Sequence, residues 1–125
     1  MTYDEFKEIA LSFPGVEEGK SYGKPAFLVN GKFLTRLRKD DGSCVLTGIH
    51  IDEREMLIEC EPQTFFFTAH YKDYPAVLAR IETLHPGSLR NFLERRWREV
   101  APKKLVKAYD AQSSAKTGDS APAQS

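Results

Sequence analysis

Apolar positions set the outline of the chain. Phe6, Ile9, Ala10 and Phe13 recur at helical spacing, which predicts a first helix with one buried stripe. Thr2 and Glu5 have the spacing of a capping box at its start, and Pro14-Gly15 ends it. The pattern then changes. Pro25 opens an extended run, and Phe27-Leu28-Val29, Asn30-Gly31 and Lys32 to Arg38 read as a hairpin, because Asn-Gly readily adopts the positive dihedrals of a two-residue turn. On its second strand Phe33, Thr35 and Leu37 share one face, while Lys32, Leu34, Arg36 and Arg38 share the other. Asp40-Asp41-Gly42 turns the chain into a third strand, Ser43 to Ile49.

Asp52 and Glu55 repeat the capping-box spacing, with Ile51 and Met56 placed as a hydrophobic staple. A second helix follows, buried through Met56, Leu57 and Cys60 and stopped by Glu61-Pro62. Phe65 to Tyr71 is the most aromatic stretch and predicts a central strand, because rings fit a pleated, packed surface. Alternation puts Phe65, Phe67, Ala69 and Tyr71 on one face and Phe66, Thr68 and His70 on the other. Lys72-Asp73 forms the tip and Val77 to Ile81 returns, leaving a collar of Tyr71, Tyr74 and Pro75 around His70. Leu89, Phe92, Leu93, Trp97 and Val100 mark a last helix, introduced by His85-Pro86-Gly87-Ser88 and ended by Pro102. The expected fold is a single α+β domain over residues 1–109. It holds a five-stranded antiparallel sheet, a three-strand meander plus a hairpin, with the N- and C-terminal helices on one face. Residues 110–125, mostly Ser, Ala, Gly, Pro and Gln, are expected to be a disordered tail.

Composition narrows the class. A chain of 125 residues, 41% hydrophobic and 29% charged, fits one globular domain. It contains no apolar run near the roughly 20 residues of a membrane helix. No membrane association is expected, and an acidic N-terminus without an apolar core predicts a cytoplasmic protein. Net charge is zero but unevenly spread. Residues 1–60 hold eight Lys/Arg against eleven Asp/Glu, whereas residues 61–109 hold nine against five. From 88 to 107, seven basic residues face two acidic ones, a stretch that includes Arg90, Arg95, Arg96, Arg98, Lys103, Lys104 and Lys107.

The motifs exclude more than they assign. Gly19-Lys20-Ser21 lacks the upstream glycine and the following helix of a phosphate-binding loop. Cys44 and Cys60 form no metal or redox pair and are expected to be buried thiols. His50, His70 and His85 are scattered, and no nucleophile stands at a catalytic spacing, so a non-enzyme is expected. The carboxylates Asp4, Glu5, Glu8, Glu17 and Glu18 read as a wet helix face rather than a metal ridge, so no cofactor and no metal site are expected.

Several segments together carry a resemblance. They are Phe13-Pro14-Gly15-Val16-Glu17, Ser21 to Phe27, Gly31-Lys32-Phe33, Phe66 to Tyr71, Tyr74-Pro75 and Val100-Ala101-Pro102-Lys103. In that order, over about residues 1–109, the chain resembles the MmcQ/YjbR family, with Ala69 where the family often has Pro before the histidine. The resemblance implies a frataxin-like (CyaY-like) fold and DNA binding through a double-wing motif, and it brings no catalytic residues. Under it the wings supply Lys32, Arg36, Arg38, His70, Tyr71, Lys72 and Tyr74, with Arg95 and Arg98 on the basic last helix, and DNA is the partner. The alternative is a protein- or small-ligand-binding module that uses an exposed patch of Tyr22, Tyr71, Tyr74 and Pro75. A frataxin-like iron site would rest on the carboxylates of the first helix.

Overall fold

Thr2 caps the first helix, α1 (Tyr3–Leu11), by accepting a hydrogen bond from the Glu5 N–H, while the Glu5 carboxylate accepts one from the Thr2 N–H. The stripe of Phe6, Ile9, Ala10 and Phe13 is buried, as its spacing predicts. The structure, a computed structural model, describes residues 1–120, with side chains through Gln112. After α1 come β1 (Val16–Ser21), β2 (Lys24–Val29), β3 (Lys32–Thr35), β4 (Leu37–Arg38), β5 (Ser43–Thr47) and α2 (Ile51–Cys60). Next are β6 (Phe65–Phe66), a 3₁₀ turn (Ala69–Tyr71), β7 (Ala76–Arg80), α3 (Pro86–Val100) and α4 (Lys103–Ser120).

The class is α+β, but one five-stranded sheet is replaced by two antiparallel sheets, β1-β2-β3 and β4-β5-β7-β6. Two local events account for the change. Val16 to Ser21, which lacks the alternation of a half-buried strand, pairs along its whole length with β2 through a turn in which Tyr22 (φ 51°) and Gly23 (φ 78°) are both left-handed. The expected strand Lys32 to Arg38 also splits at Arg36, so its alternation is not continuous: Leu34 joins the core. The Thr35 hydroxyl donates to the Val45 carbonyl at 2.7 Å and ties the two sheets together at that break.

The Phe65 stretch is an edge strand of two residues, not a central strand, and β5 and β7 occupy the middle. The reason lies in α2. Arg54 is the buried residue of that helix, only 4% exposed, whereas Met56 and Cys60, expected inside, are exposed. Its guanidinium takes the carbonyls of Tyr71, Tyr74 and Ala76 on Nη1 and that of Lys72 on Nη2, at 2.7 to 3.2 Å. Carbonyls turned toward Arg54 cannot serve a ladder, so the chain leaves the sheet after Phe66 and winds into the 3₁₀ turn. The β-propensity of the rings is overridden by this tertiary contact. The start of α2 also differs from the expected Asp52 cap: His50 is the cap, with Nδ1 accepting from the Asp52 N–H at 3.3 Å, and Ile51 and Met56 both lie exposed.

The main core unites α1, α3 and one face of the strands: Phe6, Phe27, Cys44, Leu46, Val77, Leu89, Leu93 and Trp97 belong to a single cluster. α4 docks on it, with the Tyr109 ring 4.9 Å from that of Trp97, and Arg98 pairs with Asp110 at 2.7 Å. The backbone of α4 continues through Ser120, across most of the segment expected to be disordered; residues 121–125 lie outside those described. Strand alternation sends Val45, Thr47, Ala76 and Leu78 to the opposite face of the four-stranded sheet, where cross-strand partners Val45 with Leu78 and Thr47 with Ala76 stand side by side. That second face is not roofed by the α1/α3 core, and it underlies the cavity described next.

Candidate ligand-binding site

An open-sided cavity of about 720 Å³ lies over this second face. Val45, Thr47 and Ala76 line its base together with Phe33, while Ser21, Tyr22 and Lys24 approach from the β1–β2 tip. His70, Tyr71, Tyr74 and Pro75 approach from the 3₁₀ loop, and Arg36, Gly48 and Arg96 complete the wall. Residues from positions 21 to 96 thus meet in one place.

The ring collar forms, although on a 3₁₀ turn instead of a hairpin. His70 and Tyr71 are 4.8 Å apart, His70 and Tyr74 5.7 Å, and Tyr71 and Tyr74 6.1 Å, all edge to face, the arrangement that aromatic quadrupoles favour. Arg54 holds this loop from behind by its carbonyls and stacks on the Phe67 ring, 4.1 Å from its centroid. Across the cavity Tyr22 is 102% exposed, at a positive φ that costs a non-glycine residue roughly 1–2 kcal/mol. A large ring kept in such a conformation without packing is unusual for a purely structural turn.

The electrostatics of the lining are one-sided. Lys24, Arg36 and Arg96 are cationic, and no Asp or Glu lines the cavity among the described residues. Arg36 and Lys24 have no carboxylate partner among the described residues, whereas Arg96 Nη1 bonds Glu99 Oε1 at 3.0 Å. That pair packs over the bare backbone of Gly48 (φ 73°): a Cβ there would meet Glu99 Oε1 at 2.8 Å and Arg96 Cδ at 3.4 Å. Two buried polar atoms in the lining residues, Thr47 Oγ1 and Arg96 Nε, have no hydrogen-bond partner among the described residues.

Of the residues expected to touch DNA, Arg36, His70, Tyr71 and Tyr74 come together here. The others lie apart from the cavity lining. Lys32 is exposed in the β2–β3 hairpin and Lys72 beside the 3₁₀ turn. Arg38 pairs with Asp41 at 3.3 Å, Arg95 makes a two-pronged bond to Glu53 at 2.8 and 2.9 Å, and Arg98 holds both Glu94 and Asp110. These pairs hold the Arg95 and Arg98 guanidinium groups firmly in the charged form, and Arg98 pulls the Asp110 carboxyl below its ordinary range. Tyr22, Tyr71, Tyr74 and Pro75, the alternative patch, all line the cavity.

Sequence reasoning missed Lys24 and Thr47 as cavity residues and Arg54 as their support, whereas Arg96, singled out with the basic residues of the last helix, lines the cavity. Arg54 gave no signal, since a lone arginine in an acidic helix looks solvated; the non-alternating Val16 to Ser21 segment hid the strand that brings Lys24 in. His50 and His85 serve as helix caps, the latter accepting from the Gly87 N–H at 3.0 Å, so His70 alone of the three lines the cavity.

Comparison with known proteins gives a consistent placement. Two uncharacterised mycobacterial proteins, Rv2570 of Mycobacterium tuberculosis (strain ATCC 25618 / H37Rv) and Mb2600 of Mycobacterium bovis, are each 34% identical to this chain over 83 residues. The match covers 64% of this chain and 64% of each relative, a little under two thirds of their length. No solved structure matches the chain. The sequence model of the YjbR family matches residues 11–99. That span runs from the last residue of α1 almost to the end of α3 and contains every residue of the cavity lining, and the chain belongs to the YjbR family.

Proposed function

We propose that the protein is a non-enzymatic binding module that takes an anionic, ring-bearing ligand into the cavity between the β1–β2 tip and the Ala69–Tyr71 turn. One observation carries this reading: an aromatic collar and two cations without carboxylate partners among the described residues, Arg36 and Lys24, share a cavity whose described lining holds no carboxylate. A volume of about 720 Å³ falls within the roughly 300–1,000 Å³ range of small-molecule sites. Cations on a low-dielectric wall concentrate anions, and rigid tyrosines supply contact area at low entropic cost.

Nucleic-acid binding through wings draws less support from the same geometry. A duplex that used Arg38, Arg95 and Arg98 would have to compete with the carboxylates they already hold, two of them in charge-assisted forks. A single strand, which offers an unstacked base and a phosphate, fits the cavity in the same terms as a small ligand.

Titration with 1-anilinonaphthalene-8-sulfonate, an anionic ring probe, tests the reading. Saturable fluorescence enhancement at one site is expected, weakened about tenfold or more in Arg36→Ala and in Tyr71→Ala, the scale of one lost charged or stacking contact. Enhancement that both variants leave unchanged would place the probe elsewhere and remove the proposal.

A further inference from the structure

We infer that the ligand of this cavity is of the nucleotide class: a heteroaromatic ring carrying a phosphate, either free or as one unit of a single strand. The inference rests on the binding-module reading above and deepens it. Three features of the lining each ask for a different part of such a ligand.

The first is the exposed Tyr22 ring, which faces no protein side chain that buries it, while Tyr71 and Tyr74 approach the same cavity from the opposite loop. A flat ring entering the cavity meets aromatic side chains contributed by both loops, and base-on-tyrosine stacking tolerates any base. The second is charge. Arg36 and Lys24 are available to an anion, and a planar guanidinium suits a phosphate because two N–H groups meet two oxygens. An uncharged ring would leave them unused, and a sugar phosphate without a ring would leave the tyrosines unused.

The third feature points to a polar ring edge. Thr47 Oγ1 and Arg96 Nε are buried without partners, and Arg96 and Thr47 flank Gly48, whose missing side chain lets Arg96 lie against the strand end. Arg Nε is a donor only, and a threonine hydroxyl either donates or accepts. Both atoms have almost no accessible surface, so a ligand acceptor removes the cost of the unmade donor only as the Arg96 side chain, itself 30% exposed, shifts to admit it. Heterocycles with ring nitrogens and exocyclic oxygens carry such acceptors on the ring edge; the hydrocarbon ring of a plain aromatic acid carries none there.

Displacement of the bound anilinonaphthalene probe from the full chain by AMP, GMP, CMP and UMP tests the inference. Adenosine, ribose 5-phosphate and an oligothymidylate serve as comparisons. Mononucleotides are expected to displace the probe, with adenosine and ribose 5-phosphate each at least about tenfold weaker, since each lacks one of the two recognised parts. Thr47→Val, which keeps shape and removes the hydroxyl, is expected to weaken the nucleotide about fivefold or more. The oligothymidylate arm identifies the source: tighter displacement per nucleotide assigns a single strand, equal or weaker displacement a free nucleotide. If the probe binds and is lost in Tyr71→Ala, yet neither mononucleotide nor oligonucleotide displaces it, the nucleotide assignment is wrong while the binding-module reading stands. If the probe itself fails to bind, the underlying reading falls first.

Discussion

Arg54 Nη1 donates to the Tyr71 carbonyl at 2.9 Å, and through that bond a residue of α2 fixes the ring collar of the cavity. The same guanidinium also holds Lys72, Tyr74 and Ala76, so one side chain sets the course of six residues. Arg54→Met is therefore expected to lower unfolding stability by about 3 kcal/mol, since it removes charge-assisted bonds to four carbonyls, that of Ala76 fully buried. Arg54→Lys should recover less than half of that, because an ammonium lacks the planar fork. Urea midpoints measure both. A loss below about 0.5 kcal/mol for Arg54→Met would mean that the loop holds itself.

Tyr22 separates stability from function. Asn tolerates the left-handed conformation that Tyr22 occupies at φ 51°, so Tyr22→Asn should hold or raise stability by up to about 1 kcal/mol. The same change should weaken the anionic ring probe about tenfold, through the lost stacking surface. Thermal unfolding and probe titration on one sample decide the matter, and unchanged affinity would show the tip to be a turn and nothing more.

The two thiols should behave oppositely. Burial pushes Cys44 up to about 12, whereas Cys60 is exposed. A thiol-reactive dye is expected to label Cys60 alone in the native protein and both cysteines in denaturant. The raised Cys44 value also fixes a sign: its contribution is complete below the ordinary thiol range near pH 8.5 and falls away as pH rises toward 12, because the unfolded thiol ionises first. The protein should become easier to unfold over that window, and Cys44→Ala should flatten the slope.

At the other end of the pH scale, Asp110 joins α4 to α3. Its carboxyl lies below the usual range because Arg98 bonds it. A depressed carboxylate contributes above its unfolded value near 3.9, and the contribution is lost as pH falls through the lower folded value. Carboxyl titration by NMR should return Asp110 to the ordinary range in Arg98→Ala. An unshifted Asp110 in the parent protein would mean that the bridge does not persist in solution.

What could be read from the chain in advance follows the range of each interaction. The capping box of Thr2 and Glu5, the α1 stripe, the Asn30-Gly31 turn and the Leu89/Leu93/Trp97 stripe are local patterns, and each forms where its spacing puts it. The helix break at Pro102 holds as well, with α3 ending at Val100. The failures are long-range. Nothing near Arg54 signals that carbonyls 17 to 22 residues away will bend toward it, and so the Phe65 stretch looked like a strand. Collar residues His70, Tyr71 and Tyr74 were legible by composition, and Arg36 by its place on a strand. Thr47 and Arg96 matter through polar atoms that lack partners, a property of the fold and not of the sequence.

Backbone amide NMR of the labelled protein, titrated with AMP, tests the central claim most directly. Shifts are expected to gather at Tyr22, Lys24, Arg36, Thr47, Gly48 and His70 to Ala76, the segments that meet at the cavity. Shifts confined instead to the basic surface of Arg95, Arg98, Lys103 and Lys104, with the cavity segments silent, would contradict it.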